Sequence, residues 1–78
     1  MDEKGLVEFL AKKLVDNPDD VVIKEVDGEK SLILELHVNA ADIGKVIGKG
    51  GRIISAIRTL LYSVARKSEK RVILEVIE

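Results

Sequence analysis

The chain of 78 residues has no cysteine and no tryptophan. Disulfides and thiolate metal sites are therefore excluded as supports for the fold. Glutamine is also missing and asparagine occurs twice, while Lys, Glu, Ile and Val are plentiful, a usage that resembles thermophile composition. Aromatics are reduced to Phe9 and Tyr62, and proline to Pro18. No apolar run exceeds three or four residues, Leu32-Ile33-Leu34 being typical, so no segment has the length of a membrane span. The start, Met1-Asp2-Glu3-Lys4, leads into a charged helix and not into the apolar centre of a signal peptide. Both features fit a cytoplasmic protein. His37 is the single histidine, so nucleophilic and metal-binding constellations find no material. Asp16, Asp19 and Asp20 read as a solvated loop. No enzymatic activity, cofactor, metal or small-molecule substrate is expected. An excess of positive charge is lacking as well: 13 Lys and Arg stand against 14 Asp and Glu, a net −1. That sum speaks against a nucleic-acid partner, because such domains are usually basic.

What remains is 46% hydrophobic and 35% charged, the balance of a soluble folded chain. Its length fits one domain, residues 1–78. Residues 4–15 read as an amphipathic helix on Leu6, Phe9, Leu10 and Leu14, stopped by Asn17-Pro18. Residues 21–26 and 31–38 read as strands around Asp27-Gly28, a hairpin. In the second strand Leu32, Leu34, Leu36 and Val38 share one face. Asn39 is placed to cap a short helix over 40–47. A longer helix over 52–67 carries Ile54, Ile57, Leu61 and Val64, with Ile53 and Leu60 beside them. Residues 71–77 form a last strand.

The order α-β-β-α-α-β predicts an α+β fold. The hairpin strands pair antiparallel, and the crossover from 31–38 to 71–77 through two helices favours parallel pairing. A three-stranded mixed sheet follows, with 31–38 central and three helices on one face. The expected core sets Leu32, Leu34, Leu36 and Val38 against Leu6, Leu10, Leu14, Ile57 and Leu61. Phe9 and Tyr62 are expected to pack. Ile33, Ile73 and Ile77 fall on the opposite strand faces and offer a second, self-associating surface.

The segment Val46-Ile47-Gly48-Lys49-Gly50-Gly51-Arg52-Ile53-Ile54 joins the two inner helices. Glycines permit positive φ and close approach of another backbone. The helix starting near Arg52 turns its unpaired N–H groups toward the turn, an anion-attracting geometry. Lys49 and Arg52 add two mobile positive charges, and Lys45 a third nearby. Gly44, one turn earlier, leaves a bare patch where a flat base can lie. A P-loop is excluded because Lys49 is followed by Gly50 and not by Ser or Thr. The dinucleotide fingerprint is excluded because Ile53 stands where its last glycine belongs.

VIGKGGRII resembles the VIGxxGxxI signature of the KH domain, a single-stranded nucleic-acid module whose GxxG loop clamps about four nucleotides. The element order resembles the type II arrangement, and the resemblance covers nearly the whole chain. At this length, with DIGKVIGKGGR, the sequence is similar to the small bacterial single-KH RNA-binding proteins of the KhpA type. The resemblance implies backbone contacts from Gly48, Lys49, Gly50 and Gly51. It implies base contacts beside Gly44 and an apolar wall from Ile47 and Ile54. It further implies a non-catalytic RNA chaperone or post-transcriptional regulator, with a role in cell-wall homeostasis and cell shape. Self-association, or pairing with a second, Jag-type KH protein, is implied too.

Split along the chain, the charge changes meaning. Residues 1–43 carry net −6, residues 44–71 net +7 and residues 72–78 net −2. The positive segment contains the glycine turn, as expected of a polyanion site. Lys45, Lys49 and Arg52 are assigned to that site. Arg66, Lys67, Lys70 and Arg71 read as a solvated helix end. Two other classes stay open at this stage: a protein-interaction module whose turn binds nothing, and a binder of small phosphate ligands.

Overall fold

Leu34 and Leu36 have no exposed surface, and the rest of the molecule is arranged to cover them. The computed structural model describes residues 2–78. Helix α1 (Glu3–Leu14) leads through a 3₁₀ turn to the hairpin of β1 (Val22–Asp27) and β2 (Ser31–His37). A second 3₁₀ turn opens α2 (Ile43–Ile47), a third lies over Lys49–Gly51, and α3 (Arg52–Ala65) and β3 (Arg71–Val76) complete the chain. The sheet order is β1-β2-β3. β1 and β2 run antiparallel, with Ile23 opposite Leu36. β2 and β3 run parallel, with Leu34 opposite Leu74. The predicted mixed sheet with a central second strand is therefore the observed one.

Period-two alternation puts Ile23, Leu34, Leu36, Val72 and Leu74 inward under the helices. At the aliphatic scale of burial, each such side chain contributes roughly 1.5–3 kcal/mol. The helical contribution differs in detail from the sequence pattern. On α1 the buried positions are Val7 and Ala11, with Val15 just beyond. Leu10 and Leu14 pack at the margin, and Leu6 is half-buried. The smaller side chains at i, i+4 and i+8 bring the helix close, and the leucines wedge in beside it. On α3 the buried stripe is Ile54, Ile57, Leu61 and Ala65. Ala65 lies about three full turns past Ile54, so it and not Val64 completes the face. Val64 and Leu60 are left 59% and 52% exposed. The helix ends at Ala65, two residues short of the predicted limit.

Phe9 and Tyr62 do not join the core: both are about half exposed. Lys13 Nζ lies 5.6 Å from the centroid of the Phe9 ring, a cation–π contact. Ile33, Ile73 and Ile77 lie half-buried on the uncovered sheet face, and the strand register aligns Val26, Ile33 and Ile73 in one row across it. The Asn39 cap is as predicted, and Asp2 supplies a further one at α1. The Asp2 side chain accepts from the Gly5 N–H at 2.7 Å, and Asn39 Oδ1 accepts from the Ala41 N–H at 2.9 Å.

Candidate nucleic-acid interface

One carboxylate positions the site. Asp42 is 1% exposed and is the only buried polar residue among those described. It accepts from the Asp16 N–H at 3.3 Å, the Asn17 N–H at 3.0 Å and Asn17 Nδ2 at 3.0 Å. These bonds lash the chain leaving α1 to the start of α2. Asn39 Nδ2 adds a second tie to Asp20, at 3.0 Å. Burial by itself would raise the Asp42 pKa. The hydrogen bonds from Asn17 and Asp16, with Lys45 nearby, outweigh it and hold the carboxyl below its ordinary 3.8. In the sequence Asp42 carries little signal of this role: it is a carboxylate at the opening of a helix, close behind a capping asparagine.

From that anchor α2 runs five residues and stops at Gly48. The Gly48 N–H donates to Gly44 O at 2.8 Å, and the Gly51 N–H to Gly48 O at 3.1 Å. Gly48, Gly50 and Gly51 all have positive φ, at 77°, 63° and 78°, the conformation that side chains resist. At Gly48 space forbids a side chain as well: a Cβ would lie 2.6 Å from Ile53 Cγ1. The turn is thus as tight as its sequence allows. The Arg52 N–H donates to Lys49 O, and α3 starts from Gly51 without a side-chain cap, so the positive end of the helix dipole lies beside the turn.

The nine sequence-assigned residues occupy three kinds of place. Lys49, Gly50 and Arg52 are exposed at the turn, with Gly48 and Gly51 half-buried beneath them. Among the described residues, neither Lys49 nor Arg52 has a carboxylate within ion-pair distance. Gly44 is exposed, and a Cβ there would meet nothing within 4 Å, so the patch beside the turn is bare. Ile47 is half-buried against the core.

Ile54 and Lys45 are placed differently. Ile54 is 6% exposed and belongs to the core, so it backs the wall and contributes almost no surface. Lys45 Nζ sits 3.4 Å from Asp16 Oδ2, 3.5 Å from Asp42 Oδ1 and 3.5 Å from the Ala41 carbonyl. The Asp16 carboxylate, and then Asp42, raise its pKa. Its charge is engaged within the protein, and the cation belongs to the clamp. Arg58, a further basic residue of α3, is also committed: its Nη2 and Nε donate to Leu74 O at 3.1 and 3.4 Å. No cluster of three or more His, Cys, Asp or Glu able to hold a metal occurs among the described residues.

Two helices meeting at a GxxG turn, laid on a mixed three-stranded sheet in α-β-β-α-α-β order, define the KH fold in its type II arrangement. The family described as KhpA/KhpB, KH domain, matches residues 4–76, and the chain belongs to it. Its curated relatives include the RNA-binding protein KhpA of Aquifex aeolicus, 53% identical over 96% of this chain and 95% of the relative. The RNA-binding protein KhpA of Clostridium perfringens is 57% identical over 95% and 99%. That of Borreliella burgdorferi is 51% identical over 97% and 93%. No solved structure matches. The family is one of binding proteins and not of enzymes.

The clamp makes the site's scaffold acid-sensitive. Asp42 has a depressed pKa in the fold, so its stabilisation is present above the ordinary carboxyl value and is lost as pH falls through the folded one. Urea midpoints should therefore drop below about pH 4, and Asp42→Asn should weaken the fold at pH 7 while flattening that acid limb. An unchanged pH profile in the variant would remove Asp42 from its anchoring role.

Proposed function

We propose that this chain, as one KH unit over residues 1–78, binds single-stranded RNA without catalysing a reaction. The observation that carries the reading is the GKGG turn. Three positive-φ glycines there present backbone at a helix start without a side-chain cap, beside Lys49 and Arg52, which have no carboxylate in ion-pair range among the described residues. The RNA backbone would lie on Gly48, Lys49, Gly50, Gly51 and Arg52, with bases against the bare Gly44 patch and Ile47. Lys45 and Ile54 hold these groups from behind. Few phosphates are met, so affinity is modest and salt-sensitive and sequence discrimination is small. The names of the relatives support RNA as the ligand.

The finer role is an RNA chaperone or post-transcriptional regulator in the cytoplasm, acting on cell-wall homeostasis and cell shape. Its support is the family resemblance. Self-association, or pairing with a Jag-type KH protein, fits a weak single site, because doubling it multiplies binding through effective concentration. Leu60 and Val64, exposed one turn apart on α3 with Ile53 on the same flank, support a helix-to-helix contact. The isoleucines of the open sheet face offer less surface, being half-buried.

The direct test joins Lys49→Asp with Gly50→Asp. Both sites are exposed, and a Cβ at Gly50 meets nothing within 4 Å; its positive φ costs a side chain about 1 kcal/mol, least for Asn or Asp, so a small loss of stability is expected without unfolding. The double variant should keep its circular dichroism and lose retention of single-stranded RNA by tenfold or more at matched low salt. Equal retention would defeat the loop mechanism in favour of an interaction module. Gly44→Ala separates stability from binding. Replacing a helical glycine should raise stability by up to about 1 kcal/mol, yet the added methyl should weaken RNA binding by intruding on the bare patch. For association, sedimentation should show a concentration-dependent mass that Leu60→Lys abolishes; a parent monomeric at every concentration would exclude self-pairing.

A further inference from the structure

At the far end of α3 the basic residues Arg66, Lys67 and Arg71 are exposed, as the sequence predicts, and two of them border a cavity. Tyr62, Arg66, Glu69, Lys70, Arg71 and Val72 line a cleft of about 410 Å³ between the end of α3 and the start of β3. Lys70 is engaged by Asp27 of the hairpin. Arg66 and Arg71 have no carboxylate within ion-pair distance among the described residues. One carboxylate, Glu69, stands against them, and the cleft remains net positive. Tyr62 is 45% exposed and gives the cleft an aromatic wall.

This cleft lies on the same side of α3 as a feature already described. Arg58, Tyr62 and Arg66 follow one another at four-residue steps and form one stripe. Arg58 fixes the orientation of that stripe by bonding Leu74 O of β3. β3 is an edge strand, so no further strand closes the seam between it and α3. The seam runs from the GKGG turn at one end of α3 to the cleft at the other. Tyr62 stands ten residues beyond Arg52, or about 15 Å along the helix axis.

We propose that the cleft is a second nucleotide subsite, reached by the RNA strand after it leaves the GKGG turn along the α3–β3 seam. A base would stack on the Tyr62 ring, and the adjoining phosphate would meet Arg66 and Arg71. Aromatic faces accept any base, and guanidinium groups suit phosphate. The subsite therefore lengthens the footprint without adding sequence preference. This proposal rests on the RNA-binding reading above.

Tyr62 supplies its own probe, because it is the only tyrosine and tryptophan is absent. The experiment titrates the full chain with oligoadenylates of four and eight nucleotides at matched low salt, following affinity and tyrosine fluorescence. Eight nucleotides should bind the parent about tenfold more tightly than four, and only the longer strand should quench Tyr62. In Tyr62→Leu, and in the pair Arg66→Gln with Arg71→Gln, that gain should shrink to the small factor due to extra binding registers, with four-nucleotide affinity unchanged. Tyr62→Phe, which keeps the stacking face, should restore it. These positions are exposed, and thermal unfolding of each variant checks that the fold persists. A Tyr62→Leu protein that keeps the full gain, or a parent whose fluorescence ignores the longer strand, overturns the subsite while leaving the loop reading standing. If neither oligonucleotide binds the parent, both readings fall together.

Discussion

The geometry of this molecule depends on a buried carboxylate. Asp42 brings together residues 16–17, at the exit of α1, and the first turn of α2, 25 positions later in the chain. α2 is too short to hold itself: five residues cannot repay the cost of helix nucleation. It persists because its start is lashed down by Asp42 and its end is fixed by the Gly44–Gly48 bond and the packing of Val46. The GKGG turn inherits its position from α2. A buried carboxylate is costly unless it is bonded, and this one has three N–H donors besides the Lys45 amine. Tertiary polar contact, and not local propensity, thus places the site.

The sequence carried the architecture because its signals were local and periodic. Alternation in 31–38 set the central strand, Asn39 set a cap, and the crossover length set the parallel pairing. What it did not carry were choices between neighbouring apolar stripes. On α1 the run Leu6, Leu10 and Leu14 and the run Val7, Ala11 and Val15 lie side by side. Only the distance to the partner elements selects the smaller set. The same degeneracy on α3 decided Ala65 over Val64. The turn residues Gly48–Gly51 were legible because φ is a backbone matter that glycine announces. The pairing of Lys45 was not, because its position in the motif says nothing about Asp16 or Asp42, whereas the burial of Ile54 follows from its place on the apolar stripe of α3.

Charge needed a second division, finer than the one along the chain. The basic segment 44–71 divides into cations the fold has engaged and cations it leaves open. Lys45 is held by Asp16 and Asp42, Lys70 by Asp27, and Arg58 by a strand carbonyl. Among the described residues, Lys49 and Arg52 remain open at one end of α3, and Arg66, Lys67 and Arg71 at the other. A net charge of −1 hides this, since solvent screens charges beyond about 10 Å and a polyanion responds to the local group and not to the sum.

α3 is the element on which these features converge, and it separates them by angle. One face is core, through Ile54, Ile57, Leu61 and Ala65. One flank, with Leu60 and Val64, is apolar and open; the opposite flank, with Arg58, Tyr62 and Arg66, follows β3. The N-terminus meets the glycine turn. Because the open apolar flank and the β3 flank lie on opposite sides of the buried stripe, a partner on the first leaves the second clear. A paired protein would then present two strand-binding seams at once. Such an assembly would suit a chain whose single turn offers two cations free of carboxylates: on the proposed reading its affinity for RNA would be set by the number of seams one strand could reach.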